Sequence, residues 1–244
     1  VEWSGEAIAI GTRRLGETDA ILEVMTRDKG RWLGMVRGAR SRRLRPVVQP
    51  GNTLSVTWRA RLDEHLGNFR VEPIAERAGT LMASGSAIFG LQLLGEYLRL
   101  IPERDPHPRL YEALALLVEY LDDIPLAAEL MARFELLLLD EMGFGLDLSE
   151  CAATGATEDL GYVSPKSGRA VSHDAGRAYH DRLLPLPAFL VEARRDAAPD
   201  LEAVADALRL TAFFLERHLF APRSLSLPDV RSSFERAVLA KPQR

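Results

Sequence analysis

The chain has 244 residues, 47% of them hydrophobic and 27% charged, enough for one large domain or two small ones with real cores. No stretch approaches the ~18 consecutive apolar residues that a membrane span needs, and the single cysteine, Cys151, excludes an internal disulfide framework. The acidic start Val1-Glu2-Trp3-Ser4-Gly5-Glu6 lacks the apolar run of a signal peptide, so a cytoplasmic protein is expected.

Net charge is -4, which by itself does not announce a nucleic-acid binder. Its distribution is more telling. Residues 1–80 hold fourteen Lys/Arg against ten Asp/Glu, a net of +4, while the remainder holds seventeen against twenty-five, a net of -8. A basic interaction surface on an otherwise acidic body is the implication.

The first eighty residues read as short strands. Ala7–Ile10 leads through Arg13-Arg14 to turn chemistry at Leu15–Asp19, and Ala20–Thr26 follows as a second strand. The charged turn Arg27–Gly30 returns the chain into Arg31–Arg37. After Gln49-Pro50-Gly51-Asn52, the segment Thr53–Arg59 alternates with period two, and Gly67–Pro73 closes the set. Five short strands without a long helix predict a small closed barrel, of which the five-stranded OB-fold is the commonest that binds nucleic acid. From Ile74 onward the period becomes helical: Ala78–Leu100, Leu110–Leu121, a helix opened by Pro125 with Leu136–Leu139 apolar all round, a helix from about Pro199, and a short amphipathic tail, Val230–Leu239. Between Gly143 and Gly176 the chain loosens into Gly, Ser, Thr and Asp. The expected architecture is α+β, with an OB-fold barrel over 1–77 and an all-helical domain over 78–244.

The densest chemistry lies in Arg37-Gly38-Ala39-Arg40-Ser41-Arg42-Arg43-Leu44-Arg45, five arginines in nine residues with no acid. Gly38, Ser41 and Pro46 argue against a regular helix, so the segment reads as a loop with its guanidinium groups clear of the fold. Arginine pairs bidentately with phosphate and stacks on flat rings. The candidate DNA-binding set is Arg13, Arg14, Lys29, Arg31, Arg37, Arg40, Arg42, Arg43 and Arg45. Aromatic residues nearby are few (Trp3, Trp32, Trp58, Phe69), and strand tryptophans are more often core. The pattern therefore predicts phosphate tracking with little base readout, and salt-sensitive, sequence-independent binding.

Catalysis finds no support. His65, His107, His173, His180 and His218 fall in different elements, and there is no HExxH, GxSxG or Walker loop, so nothing supplies a base, a nucleophile and an oxyanion donor together. Cys151-Ala152-Ala153-Thr154-Gly155 has the outline of a zinc knuckle with its second cysteine replaced. Ser164-Pro165-Lys166-Ser167-Gly168 stands where a second ligand pair belongs, with serine at both places. Cys151 with His173 and His180 gives only three ligands at irregular spacing, so a degenerate knuckle held by hydrogen bonds is expected, with no metal and no cofactor.

Several blocks in order resemble the bacterial RecO family of DNA repair proteins: Leu15–Asp19, Thr26–Gly30, Arg37–Arg40, Leu44–Gly51, Pro106–Tyr111, Gly143–Leu148 and Tyr162–Gly168. The start is similar to the family's usual Met-Glu-Trp, with Val1 in place of Met. The resemblance covers essentially the whole chain. It implies an N-terminal OB-fold, a helical C-terminal domain with a zinc-knuckle loop, and a non-enzymatic recombination mediator of the RecF pathway, cytoplasmic and nucleoid-associated. Such proteins bind single- and double-stranded DNA, anneal complementary strands and, with RecR, help load RecA onto DNA coated by single-stranded DNA-binding protein. Many members carry four zinc cysteines, of which only Cys151 stands here. The resemblance also implies that the helical domain docks the acidic C-terminal tail of single-stranded DNA-binding protein, for which Arg99, Arg104, Arg109 and Arg133 are candidate carboxylate clamps. The competing class is a protein-only scaffold whose basic barrel binds acidic partners.

Overall fold

Five strands close on themselves at the start of the chain. In a computed structural model, which describes residues 1–191 and 199–240, these are β1 (Glu2–Leu15), β2 (Asp19–Thr26), β3 (Gly30–Val36), β4 (Thr53–Arg59) and β5 (Asn68–Ala75). Their order round the barrel is β1-β2-β3-β5-β4, with β1 pairing β4 to close it and β3 meeting β5 in a short parallel contact at Met35 and Asn68. This is the expected five-stranded OB-type barrel, with β1 longer than the expected Ala7–Ile10.

Strand periodicity explains which residues fill it. Leu54, Val56 and Trp58 of β4 point inward and alternate with exposed or half-exposed neighbours. In β1 and β2 the alternation is hidden because both faces are covered. Ala7 and Ala9 join the barrel core, whereas Ile8 and Ile10 are buried without belonging to it. The outer cover is helical: α1 (Ala78–Leu81) is followed by α2 (Gly85–Leu98), which packs on β1, and α3 (Pro108–Tyr120), which packs on β2. Gly95 of α2 lies so close to β1 that a Cβ there would stand 3.1 Å from the Ile10 carbonyl oxygen.

The expected single helix Ala78–Leu100 is thus two. Ser84 interrupts it in extended conformation and accepts the Ala87 N–H, starting α2 afresh as an N-cap. By packing, the chain divides into two compact units, Val1–Asp122 and Asp123–Arg244. The first three helices belong with the barrel, because the outward apolar residues of β1 and β2 need a cover.

The second unit is built on α4 (Ile124–Glu141), capped by Asp123 and opened by Pro125 as its sequence suggested. The segment after it is not merely loose. It forms a three-stranded sheet, β6 (Leu160–Val163), β7 (Ala170–Ser172) and β8 (Leu184–Pro185), ordered β7-β6-β8, with the single turn α5 (His173–Gly176) following β7. Helices α6 (Leu201–Leu215) and α7 (Asp229–Leu239) pack against α4. Among the described residues no helix is long and apolar enough to cross a membrane.

Candidate nucleic-acid interface

The arginine segment between β3 and β4 is anchored by its own backbone. The Arg40 N–H donates to Thr18 O at 3.0 Å, and the Ser41, Arg45 and Val48 N–H groups close successive turns on Gly38, Ser41 and Leu44. Gly38, at φ 62°, donates its N–H to Asp19 Oδ1 at 2.8 Å. That bond, with the Thr18 hydroxyl and the nearby Arg37 charge, holds the Asp19 carboxyl below the usual carboxylate range. Ala39, Val47 and Val48 are buried in the barrel core, so the segment is plugged into the fold while Arg37, Arg40, Arg42, Arg43 and Arg45 stay exposed.

The exposed cations line two hollows. One, of about 290 Å³, brings Arg13 and Arg14 of β1 together with Arg40 and Arg45, and no acid lines it. There Arg14 and Arg40 donate to backbone carbonyls, of Gly16 at 2.7 Å and Glu17 at 3.2 Å. The other, of about 660 Å³, joins Arg37 and Arg43 to Arg59 and Arg70, with Glu2 and Glu72 also on its wall. Arg59 pairs with Glu2, and Arg70 lies 3.6 Å from Glu72. Among the described residues Arg13, Arg37, Arg42, Arg43 and Arg45 have no carboxylate partner. Unpaired guanidinium groups on a backbone this well fixed are suited to phosphate oxygens.

Arg59 and Arg70 were absent from the expected set. They sit far apart in sequence, and only β4–β5 pairing, with Thr57 opposite Arg70 and Arg59 opposite Asn68, joins them. The available signal was alternation: each follows an inward aromatic residue, Trp58 or Phe69, and so must face out.

Lys29 is exposed at the β2–β3 turn and lines neither hollow. Arg31 does not belong to the surface set. It is buried, with Nη1 2.7 Å from Glu23 Oε1 and Nη2 donating to the Ile101 carbonyl at 3.2 Å, while Arg99 holds the other Glu23 oxygen at 2.8 Å. On the β2–β3 ladder Glu23 stands opposite Leu33, which places Arg31 diagonally beside it on the outer face. Gly11 leaves the room this cluster occupies, since a Cβ there would lie 2.7 Å from Arg99 Nη2. Arg31→Ala is expected to lower stability by about 1–3 kcal/mol by leaving Glu23 under-satisfied, and to leave the salt dependence of DNA binding unchanged. A denaturant titration and a salt titration of the same variant check both halves.

The tryptophans are core. Trp3, Trp32, Trp58 and Phe69 pack with ring centroids 5.1–6.4 Å apart, and the Trp58 indole N–H donates to Leu66 O at 2.9 Å. Arg104 lays its guanidinium 4.4 Å over Trp32 and donates to the Asp63 and His65 carbonyls. Arg99 and Arg104 are therefore committed within the first unit, which also holds Arg109. Arg133 lies in the second unit, pairs with Glu129 at 3.1 Å and stands 5.9 Å over the Phe189 ring. The four candidate tail clamps do not form one site.

The knuckle-like region keeps its turns. Gly155 N–H closes on Cys151 O at 2.8 Å and Gly168 N–H on Ser164 O at 2.9 Å, both glycines at positive φ. At the four ligand positions stand one thiol and three hydroxyls, and each hydroxyl is spent on its own turn: Thr154 accepts the Ala156 N–H, Ser164 the Ser167 N–H and Ser167 the Arg169 N–H. Such a donor set does not fit structural zinc. Cross-links hold the turns instead, from Asp147 N–H to Gly168 O, Ala152 N–H to Ala170 O, and Arg169 to Asp147 and Glu150. Among the described residues no three His, Cys, Asp or Glu gather as a metal set, so Cys151, His173 and His180 do not converge. His173 Nδ1 pairs with Asp159 at 2.8 Å, and His180 Nδ1 lies 3.1 Å from Arg177 O.

Burial pushes the Cys151 thiol up, but hydrogen bonds from Thr154 and the Ser172 N–H outweigh it and bring the thiol down to about 6. A thiol whose folded value lies below its unfolded one stabilises the fold fully above the unfolded value, about 8.5, and loses that contribution as pH falls through the folded one. Ultraviolet thiolate absorbance, referenced to Cys151→Ser, should titrate near pH 6, and a midpoint at the ordinary thiol value would show that the hydrogen bonds do not hold a thiolate.

Known proteins agree with this architecture. The family model described as Recombination protein O N terminal matches residues 1–77, and Recombination protein O C terminal matches residues 84–226. The chain is 58% identical over 234 residues to the DNA repair protein RecO of Mesorhizobium japonicum, covering 96% of this chain and 92% of that protein. It is 54% identical over 239 residues to the RecO proteins of Rhizobium etli and of Chelativorans sp., covering 98% of this chain in each case and 93% and 96% of those proteins. With both halves matched and relatives this similar along nearly their full length, the chain belongs to the RecO family of DNA repair and recombination proteins.

Proposed function

We propose that this protein is a non-enzymatic recombination mediator that binds single- and double-stranded DNA through the arginine face of its barrel and anneals complementary strands. With RecR, it helps to load RecA onto DNA coated by single-stranded DNA-binding protein. The observation that carries the reading is the set of exposed guanidinium groups without carboxylate partners on a pinned backbone. Annealing requires two polyanions to approach, and neutralising phosphates without reading bases serves any sequence. Burial of the tryptophans removes stacking platforms and fits the same absence of base readout. No cofactor is needed for such chemistry, and the acidic second unit supplies the surface for the tail of single-stranded DNA-binding protein, with Arg133 beside Phe189 as its candidate anchor.

The test is a salt titration of binding to homopolymeric and mixed-sequence single strands, paired with an annealing assay in the absence of nucleotide. Equal affinities across sequences, a steep log–log salt slope and annealing without ATP are expected. Binding to DNA no tighter than that of any protein of this charge would favour the protein-only scaffold.

A further inference from the structure

We propose that one barrel holds two nucleic-acid strands at once, one in each hollow on either side of the arginine segment, so that annealing partners meet on a single chain. This rests on the proposed DNA binding and goes beyond it by giving the site two tracks of unequal strength. The two hollows share no lining residue. Along the segment their contributors alternate: Arg37 faces the larger hollow, Ala39 and Arg40 the smaller, Arg43 and Leu44 the larger, and Arg45 the smaller. The segment is therefore a partition, fixed below by Ala39, Val47 and Val48 in the core. Arg42 is exposed, lines neither hollow and has no carboxylate partner among the described residues, which leaves it free to meet phosphate from either side.

The walls differ in charge. The smaller hollow presents four arginines and no acid, while in the larger the four arginines are opposed by Glu2 and Glu72. A strand in the smaller hollow should release counterions for about four phosphates and one in the larger for about two, giving log–log salt slopes of about -2.8 and about -1.4 on single strands. The larger hollow also holds the Asn68 amide oxygen, which is buried and has no hydrogen-bond partner among the described residues. A base amine can supply one, whereas a phosphate cannot. A firmly held strand thus lies beside a loosely held one that can slide while complementary bases search.

The experiment uses the full chain and an oligothymidylate of about eight nucleotides, short enough to occupy a single track. Binding stoichiometry is measured at low salt for the wild type, for Arg13→Ala with Arg45→Ala, and for Arg43→Ala with Arg70→Ala. Two oligomers per chain are expected for the wild type and one for each double variant, the survivor keeping the salt slope of its own hollow. Both variants should anneal at least tenfold more slowly, and mixing them should not restore the rate. A wild-type stoichiometry of one, weakened by both variants, would mean one strand crossing the partition and would overturn the two-track proposal while leaving DNA binding intact. Recovery on mixing would also overturn it, by placing the two strands on different molecules. Binding absent at every salt concentration would instead remove the proposed function itself.

Discussion

Arg231→Met is expected to destabilise the second unit by about 3–5 kcal/mol, because it strands a carboxylate in the core. Glu135 on α4 is fully buried and accepts from Arg231 Nε at 2.9 Å and Nη2 at 3.0 Å. Arg231 also donates to the Leu208 carbonyl at 2.6 Å, and the Thr211 hydroxyl donates to Glu135, so one cluster ties α4, α6 and α7 together. Both side chains are out of water, so solvent screening does not dilute the pair as it does the exposed ones. The cost arises from leaving Glu135 charged without its guanidinium, and replacing both members should recover most of it. Glu135→Leu with Arg231→Met is therefore expected to be far more stable than Arg231→Met alone. Denaturant unfolding followed by circular dichroism gives both numbers. A single variant costing under about 1 kcal/mol would show that the cluster is not the tie between α7 and the rest.

The second large effect concerns DNA. Changing Arg40, Arg42 and Arg43 together to Ala is expected to flatten the log–log salt slope on single strands by about 2 and to weaken binding about a hundredfold at 0.1 M salt, as three lost phosphate contacts require. The loss should be uniform across sequences, because phosphate contacts carry no base information. Stability should change little: the side chains are exposed, and the bonds that fix the segment are made by its backbone and by Asp19. Arg31→Ala is the reciprocal control, with stability lost and the salt slope kept. An unchanged slope in the triple variant would remove the arginine segment from the interface.

Much of this was legible without a structure. Period-two alternation in Thr53–Arg59 and the turn residues at Leu15–Asp19 and Arg27–Gly30 specify strands and their reversals locally, and five such strands leave few ways to close. Asp123-Ile124-Pro125 starts α4 for equally local reasons, a side-chain cap and a ring that fits the first turn. The arginine segment was visible as composition, and Pro46 with Gly38 keeps it out of a regular helix.

Tertiary structure decided whatever depends on neighbours distant in the chain. Arg31 looks like its basic neighbours in sequence, yet strand pairing sets it beside Glu23 and the outer cover makes the pair a buried one. Arg59 and Arg70 look like isolated strand charges, yet the β4–β5 ladder sets them on one wall with Arg37 and Arg43. The break between α1 and α2, and the allegiance of the first three helices to the barrel, follow from the outward isoleucines of β1, whose partners no local pattern names. A residue's type and spacing determine which way it points along its own element, whereas its charge state, burial and role depend on what the fold brings against it.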